Sequence, residues 1–292
     1  IISMKVIGII SNNEKQEAQE ISKTVYDYLK QRNIEVLLPD EDALPDRYSL
    51  KSVSQKEFSD NADAIISVGG DGTFLRASKY SFHNQTPVLG INAGNLGFLT
   101  EVDPENIEEA MNDLLKGSYS IERRMLLEGR LYKDDKLIQN TGLPGIALNE
   151  FTITRSMVEK VIKMEIFVND ISIKSFAADG IIIATPTGST AYSLSAGGPV
   201  VEPKAEAMII TPICPHTLFS RSIILGPDKM LEVSLNSRNE EDILSVDGKT
   251  EVLNGPAKYL LRVARSKKQL NLISFNPNAF FKVFKEKFIE RI

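Results

Sequence analysis

At 292 residues, with 42% hydrophobic and 25% charged side chains, the chain has the make-up of a globular protein long enough for two domains with separate cores. Its formal charge of -5 leaves no basic surplus, which argues against nucleic acid or an anionic membrane surface as partner. A single cysteine excludes an intramolecular disulfide and points to a reducing cytoplasm, and two histidines leave little for a zinc centre.

The first third alternates strand and helix. Lys5 to Ile10 is a short apolar run, so the amino-terminal segment reads as a strand rather than a signal peptide. Ala18, Ile21, Val25 and Leu29 then recur at helical spacing, and Ile34 to Leu38 offers a second strand. The polar stretch from Pro39 to Ser59 reads as loop with a short helix. Ala64 to Val68 predicts a buried strand that runs straight into Gly69-Gly70-Asp71-Gly72-Thr73, and Phe74 to Tyr80 predicts a helix. Val88 to Ile91 is the next strand. Ile107, Ala110, Met111, Leu114 and Leu115 mark a further helix, with Asp103-Pro104 as its start signal. Residues 1–120 therefore predict an open α/β domain with a parallel sheet.

Three glycines around one carboxylate, between a strand and a helix, are an unusual demand. Glycine lets another chain approach closely, and successive N–H groups at the mouth of a helix form an anion cradle suited to phosphate. A lone carboxylate there repels that guest unless it accepts a proton from an attacking hydroxyl or works through a divalent cation, and both uses point to phosphoryl transfer. The run is neither a Walker A loop nor a dinucleotide fingerprint. A second glycine loop, Gly90 to Phe98, follows the next strand, and loops at the carboxyl ends of parallel strands are where open α/β sheets bind ligands.

After Ser120 the helical period fades. Met125 to Tyr132, Phe151 to Arg155, Val161 to Val168, Ile171 to Phe176, Ile181 to Ala184, Met230 to Leu235 and Tyr259 to Val263 are short, β-rich and separated by turn residues. Val161 to Phe176 predicts a hairpin turning at Asn169-Asp170, with Ile162, Met164, Ile166 and Val168 on one face. Residues 121–274 thus read as a mostly-β domain. The last segment, 275–292, reverts to helix, with Phe281, Phe284, Phe288 and Ile292 along one stripe that is expected to pack back on a domain.

Within the β-rich part, Asn149-Glu150 precedes a strand; alone the pair reads as a solvated loop, although an amide beside a carboxylate suits ribose hydroxyls or a base edge. Asp179 to Pro199 is the densest polar stretch. There a buried strand ends in a Thr/Ser/Gly-rich turn, Ser189 or Thr190 is expected to cap a short helix through Ser195, and Tyr192 is free to stack. Pro212 to His216 reads as a constrained loop rather than a nucleophile pair. Ser245 to Gly248 reads as a hairpin turn, with Asp247 a candidate ligand contact.

Taken in order, Gly69-Gly70-Asp71-Gly72-Thr73, Gly94-Asn95-Leu96-Gly97-Phe98, Asn149-Glu150, Asp179-Gly180 and Thr185-Pro186-Thr187-Gly188-Ser189-Thr190-Ala191-Tyr192 resemble the NAD kinase family. The resemblance implies an amino-terminal α/β domain, a carboxyl-terminal β-sandwich and a final helix returning to the first domain. It implies transfer of the γ-phosphoryl of ATP, with Mg²⁺ or another divalent cation, to the 2′-hydroxyl of the adenosine ribose of NAD. Carried over by motif, Asp71 is the base or a metal-linked carboxylate. Gly69, Gly70, Thr73 and Arg76 become phosphate or ATP contacts. Gly72, Phe98, Asn149, Glu150, Asp179, Thr187, Thr190, Ala191, Tyr192 and Ser195 become NAD contacts. No dedicated protein metal site is implied, the metal arriving with ATP. A homo-oligomer, dimer or tetramer, is implied, with an acceptor site shared between subunits. The rivals are a lipid kinase of the diacylglycerol or sphingosine type, which needs an apolar channel, and a non-catalytic NAD-sensing protein, which has little use for Asp71.

Overall fold

The computed structural model describes residues 4–42, 47–94, 97–139, 142–156, 161–217, 220–237 and 242–289. The chain divides into two compact units, residues 1–123 with 269–292, and residues 124–268. Both boundaries fall inside strands. The first segment of the first unit ends at Arg123, close to the change of composition near residue 120.

In the first unit, β1 (Val6–Ser11), β2 (Glu35–Leu37), β3 (Ala64–Gly69) and β4 (Val88–Asn92) form a parallel sheet in the order β2-β1-β3-β4. Helix α1 (Gln16–Gln31), the short α2 (Gln55–Asn61), α3 (Asp71–Ser81) and α4 (Ile107–Lys116) accompany it. Strand β3 is buried throughout because helices cover both faces of a parallel sheet, which is why it reads as an unbroken apolar run. The core gathers Ile7, Ile9, Val25, Leu29, Ile66, Val68, Leu89, Ile91, Met111 and Leu114. Each such side chain contributes about 1.5–3 kcal/mol of burial free energy.

The second unit is a β-sandwich. One sheet carries β9 (Ile162–Val168), β10 (Ile171–Ala178), β14 (Leu231–Ser237) and β17 (Ala257–Ser274) in the antiparallel order β10-β9-β14-β17. The other carries β8 (Glu150–Arg155), β11 (Gly180–Ala184), β12 (Met208–Ile213), β13 (Ile223–Leu225), β15 (Asp242–Val246) and β16 (Lys249–Leu253) in the order β13-β12-β11-β8-β15-β16. Strand β5 (Ser120–Lys133) pairs with β17 and with the two-residue strands β6 (Lys136–Leu137) and β7 (Ile146–Ala147). Ile162, Met164 and Ile166 face Ile153, Ile181 and Ile183 across the core. The other face of β11, Ile182 and Ala184, is covered by Ala196 and Val201 from the segment that follows it. The predicted hairpin turns at Asn169-Asp170, whose φ values of 48° and 65° suit a type I′ turn.

Two expectations need correction. Strand β17 is 18 residues long, and its last part lies in the first unit, where Leu272 pairs in parallel with Val88 of β4. Helix α6 (Ala279–Phe288) does pack in the first unit, but the stripe differs: Val283 is the buried position, while Phe281 and Phe288 are 54% and 42% exposed. Ile292 lies outside the described residues. No helix among the described residues is long and apolar enough to cross a membrane.

Candidate active site

The parallel sheet delivers the carboxyl ends of β1, β3 and β4 to one edge, and the loops that follow them are tied together. Asn12 donates its N–H to Val68 O at 2.9 Å, and Ala93 donates to Gly69 O at 3.1 Å. Gly69 is required by close approach, since a Cβ there would sit 2.7 Å from Thr73 Cβ and 3.2 Å from Asn12 Cβ. Gly70 and Gly72 are different. A Cβ on either meets no atom of the other described residues within 4 Å, so no packing contact among them demands glycine there.

Gly70 is the N-cap of α3, and no side chain caps the helix. Its first N–H groups carry the positive end of the macrodipole. Asp71 opens the helix. Its Oδ2 accepts from Phe98 N–H at 3.1 Å and its Oδ1 from Leu99 N–H at 3.0 Å, so the two glycine loops are clamped through one carboxylate. Gly97 must lack a side chain because a Cβ there would lie 2.9 Å from Asp71 Cγ. Each carboxylate oxygen keeps lone-pair capacity beyond its one N–H, which leaves Asp71 able to accept a further proton or hydrogen bond. Thr73 is buried beneath the turn.

Arg76 is turned elsewhere. Its guanidinium donates to Ser11 O and pairs at 3.2 Å with the buried Asp42 carboxylate, which also accepts Ser11 N–H at 2.9 Å. Phe98 packs against α6, its ring centroid 5.8 Å from Phe280 and 6.0 Å from Phe288, with Lys287 Nζ 4.8 Å away. Asn95 and Leu96 of the same motif lie outside the described residues.

In the second unit the polar motifs converge on Asp247. It sits in the turn between β15 and β16 with φ of 46°, followed by Gly248 at 80°. Its carboxylate accepts the N–H groups of Leu148, Asn149 and Glu150 at 2.7, 2.8 and 3.0 Å. Asn149 and Glu150 are each only 8% exposed, so the solvated-loop expectation is overturned: a carboxylate 97 residues away draws the pair into the protein. The same segment binds the Thr/Ser turn. Thr185 N–H donates to Asn149 O at 2.8 Å, Thr185 Oγ1 donates to Leu148 O, and Gly188 N–H donates to Thr185 Oγ1 at 3.0 Å.

The turn is a 3₁₀ segment (Thr187–Thr190) followed by the one-turn helix α5 (Tyr192–Ser195). Neither Ser189 nor Thr190 caps it; the N-cap is Ala191. Ser189 is buried, its hydroxyl donating to Pro186 O and accepting from Val201 N–H, which uses it to hold the turn down. Thr187 is buried, Thr190 and Ala191 are half-buried, and Tyr192 and Ser195 are exposed. Asp179 stands apart from this group. It precedes β11, whereas Thr185 follows it, a span of about 20 Å along an extended strand. It pairs with Arg155 at 2.9 Å.

Burial, with the Asp247 carboxylate as the smaller cause, pushes the Glu150 carboxyl up to about 8, and its buried Oε2 finds no hydrogen-bond partner among the described residues. Glu150 is therefore neutral at pH 7 in the folded protein and ionised when unfolded. Between its ordinary value of 4.5 and about 8, the folded state holds a proton that the unfolded state has released. Stability from this group is full below 4.5 and is lost as pH rises through 8, with a slope of up to about 1.4 kcal/mol per pH unit. Glu150→Gln removes that slope. Denaturation midpoints from pH 5 to 8 are expected to fall more steeply for the parent protein than for the variant; parallel curves contradict the assignment.

The sequence reading passed over the loop after β1. Asn12 Oδ1 accepts the N–H groups of Glu14 and Lys15, and Lys15 Nζ reaches Ala93 O at 3.4 Å, beside the glycine loops. Its one signal is position, at the carboxyl end of a central parallel strand.

A family model described as the ATP-NAD kinase N-terminal domain matches residues 7–119, and one described as the ATP-NAD kinase C-terminal domain matches residues 148–275. An NAD kinase of Caldanaerobacter subterraneus subsp. tengcongensis is 37% identical over 288 residues, spanning 99% of this chain and all of that protein. An NAD kinase of Thermoanaerobacter pseudethanolicus is 38% identical over the same length and coverage. Among solved structures, an NAD kinase from Archaeoglobus fulgidus in complex with ATP superposes with a TM-score of 0.73 at 26% identity, covering 96% of this chain and 97% of that one. Yeast NADH kinase complexed with NADH shares the fold with a TM-score of 0.88 at 24% identity, covering 99% of this chain and 88% of that one.

Proposed function

The chain belongs to the ATP-NAD kinase family, and from that membership we propose that it transfers the γ-phosphoryl of ATP to the 2′-hydroxyl of the adenosine ribose of NAD, giving NADP and ADP. The observation that carries the site assignment is the Asp71 carboxylate, fixed by the N–H groups of Phe98 and Leu99 at the uncapped start of α3.

A ribose hydroxyl is a poor nucleophile near neutral pH, so the rate must come from alignment and charge placement. Asp71 accepts the 2′-hydroxyl proton as the oxygen attacks the γ-phosphorus. The bond from that phosphorus to the β–γ bridging oxygen breaks, and ADP leaves. The backbone of Gly69, Gly70, Gly72 and Thr73 lies along the phosphates, with the dipole of α3 favouring their charge. Arg76 supports this loop through Asp42 and Ser11, and a phosphate contact from it would share the guanidinium with them. On the acceptor side, Gly72, Phe98, Asn149, Glu150, Asp179, Thr187, Thr190, Ala191, Tyr192 and Ser195 contact NAD. Glu150, neutral at pH 7, donates as well as accepts, which suits a ribose hydroxyl. Tyr192, 42% exposed, offers a ring face for stacking.

A divalent cation accompanies ATP in kinase chemistry and neutralises phosphate charge. Among the described residues no three His, Cys, Asp or Glu side chains are placed to hold a metal ion. The cation is proposed to arrive bound to ATP. We further propose a cytoplasmic homo-oligomer, dimer or tetramer, with an acceptor site shared between subunits; sedimentation analysis checks its size.

Incubation with NAD, ATP and Mg²⁺, with diacylglycerol as a control acceptor, tests the proposal. NADP, read by an NADP-specific dehydrogenase, is the expected product. Phosphorylation of the lipid, or NAD binding without turnover, overturns it.

A further inference from the structure

We propose that Lys15 is a donor-binding residue, its ammonium meeting the polyphosphate of ATP at the glycine turn. This rests on the reading of Gly69–Thr73 as the phosphate cradle. Lys15 is the N-cap of α1, and its side chain makes no cap bond. A cation at the positive end of a helix is electrostatically unfavourable, and a residue such as Ser or Asp would cap the helix better. Among the described residues no carboxylate pairs with it. Among the described residues the ammonium's one hydrogen bond is to Ala93 O at 3.4 Å, and the position a Gly94 Cβ would take lies 3.0 Å from Nζ.

The ammonium is thereby laid against a loop locked to the turn, because Ala93 N–H is bonded to Gly69 O and Asn12 N–H to Val68 O. The positive ends of α1 and α3 and one ammonium therefore meet at the carboxyl edge of β1, β3 and β4. An anion with charge spread over several oxygens satisfies all three at once, and a triphosphate is such an anion. The repulsion that makes this position costly in the free protein then becomes affinity for the donor.

The test compares Lys15→Ala, Lys15→Arg and Gly72→Val for kcat, KM for ATP, KM for NAD, and inhibition by ATP analogues against inhibition by adenosine. A charge-assisted contact of this kind is worth about 10- to 100-fold in affinity. Lys15→Ala is expected to raise KM for ATP by about that factor, to leave KM for NAD and adenosine inhibition within about twofold, and to keep its thermal midpoint. Lys15→Arg is expected to restore most of the loss. An unchanged KM for ATP in Lys15→Ala, or a loss shared equally by adenosine, overturns the inference. Gly72→Val adds bulk on a face of the turn that meets no other described residue within 4 Å. If it weakens ATP and Lys15→Ala does not, the role of Lys15 alone fails; if neither weakens ATP, the phosphate cradle fails and this inference with it.

Discussion

Asp71→Asn is expected to lower kcat for NADP formation by about 10²- to 10⁴-fold, the range a positioned general base supplies. The substitution keeps the side chain's shape and removes its ability to take a proton. It also has a local structural effect. Oδ1 and Oδ2 both accept backbone N–H groups, from Leu99 and Phe98, so an amide must present its own N–H₂ to one of them. Opposed donors forfeit a hydrogen bond, a cost of about 1–3 kcal/mol. The loop from Gly97 to Leu99 is expected to shift while the rest of the first unit stays folded. Calorimetric titration separates the two effects. A lost base leaves NAD affinity within several-fold of the parent and removes turnover; a displaced loop weakens NAD in step with kcat. Near-normal turnover in the variant removes Asp71 from the proton-transfer role altogether.

What the sequence made legible was local. The strand, glycine turn and helix around Asp71 follow from an apolar run, three glycines and a helical stripe within 20 residues, and the type I′ hairpin follows from Asn169-Asp170. What it hid depends on distant chain. The partners of Asp71 lie 27 and 28 residues on. Glu150 looks solvated until Asp247 arrives to bind the backbone beside it. Ser189 has the residue type of a cap but sits next to Val201, whose N–H claims its hydroxyl. The apolar alternation that marks Tyr259 to Val263 as a strand ends at Arg265, Lys267 and Lys268, where β17 leaves the second unit, so the rest of its 18 residues carries no period-2 signal. Lys15 illustrates the same limit: nothing near it in sequence marks it, and only the parallel sheet brings its loop beside Gly69.

Gly188→Ala is expected to lower kcat/KM for NAD by about 100-fold while changing KM for ATP little. A Cβ at Gly188 would overlap Asn149 O, and it would stand 2.6 Å from the Asn149 carbonyl carbon and 2.7 Å from its Cα. These are backbone atoms, so no rotamer change relieves the contact. Asn149 is also held from behind, its N–H bonded to Asp247 and its carbonyl to Thr185 N–H. The strain must therefore move the Thr187–Tyr192 turn away from Asn149-Glu150, parting the two groups of residues assigned to NAD. A misplacement near 1 Å at a positioned site costs about 10²-fold in rate. The turn's own anchors, Ser189 to Pro186 O and Val201 N–H, keep it folded, so the far-ultraviolet spectrum should match the parent. Ser195→Ala, at an exposed position on the same segment, serves as the comparison and is expected to change KM for NAD by less than about tenfold. If Gly188→Ala binds NAD as the parent does, the Thr/Ser turn and Asn149-Glu150 do not act on the same ligand, and the acceptor site must be sought elsewhere in the second unit.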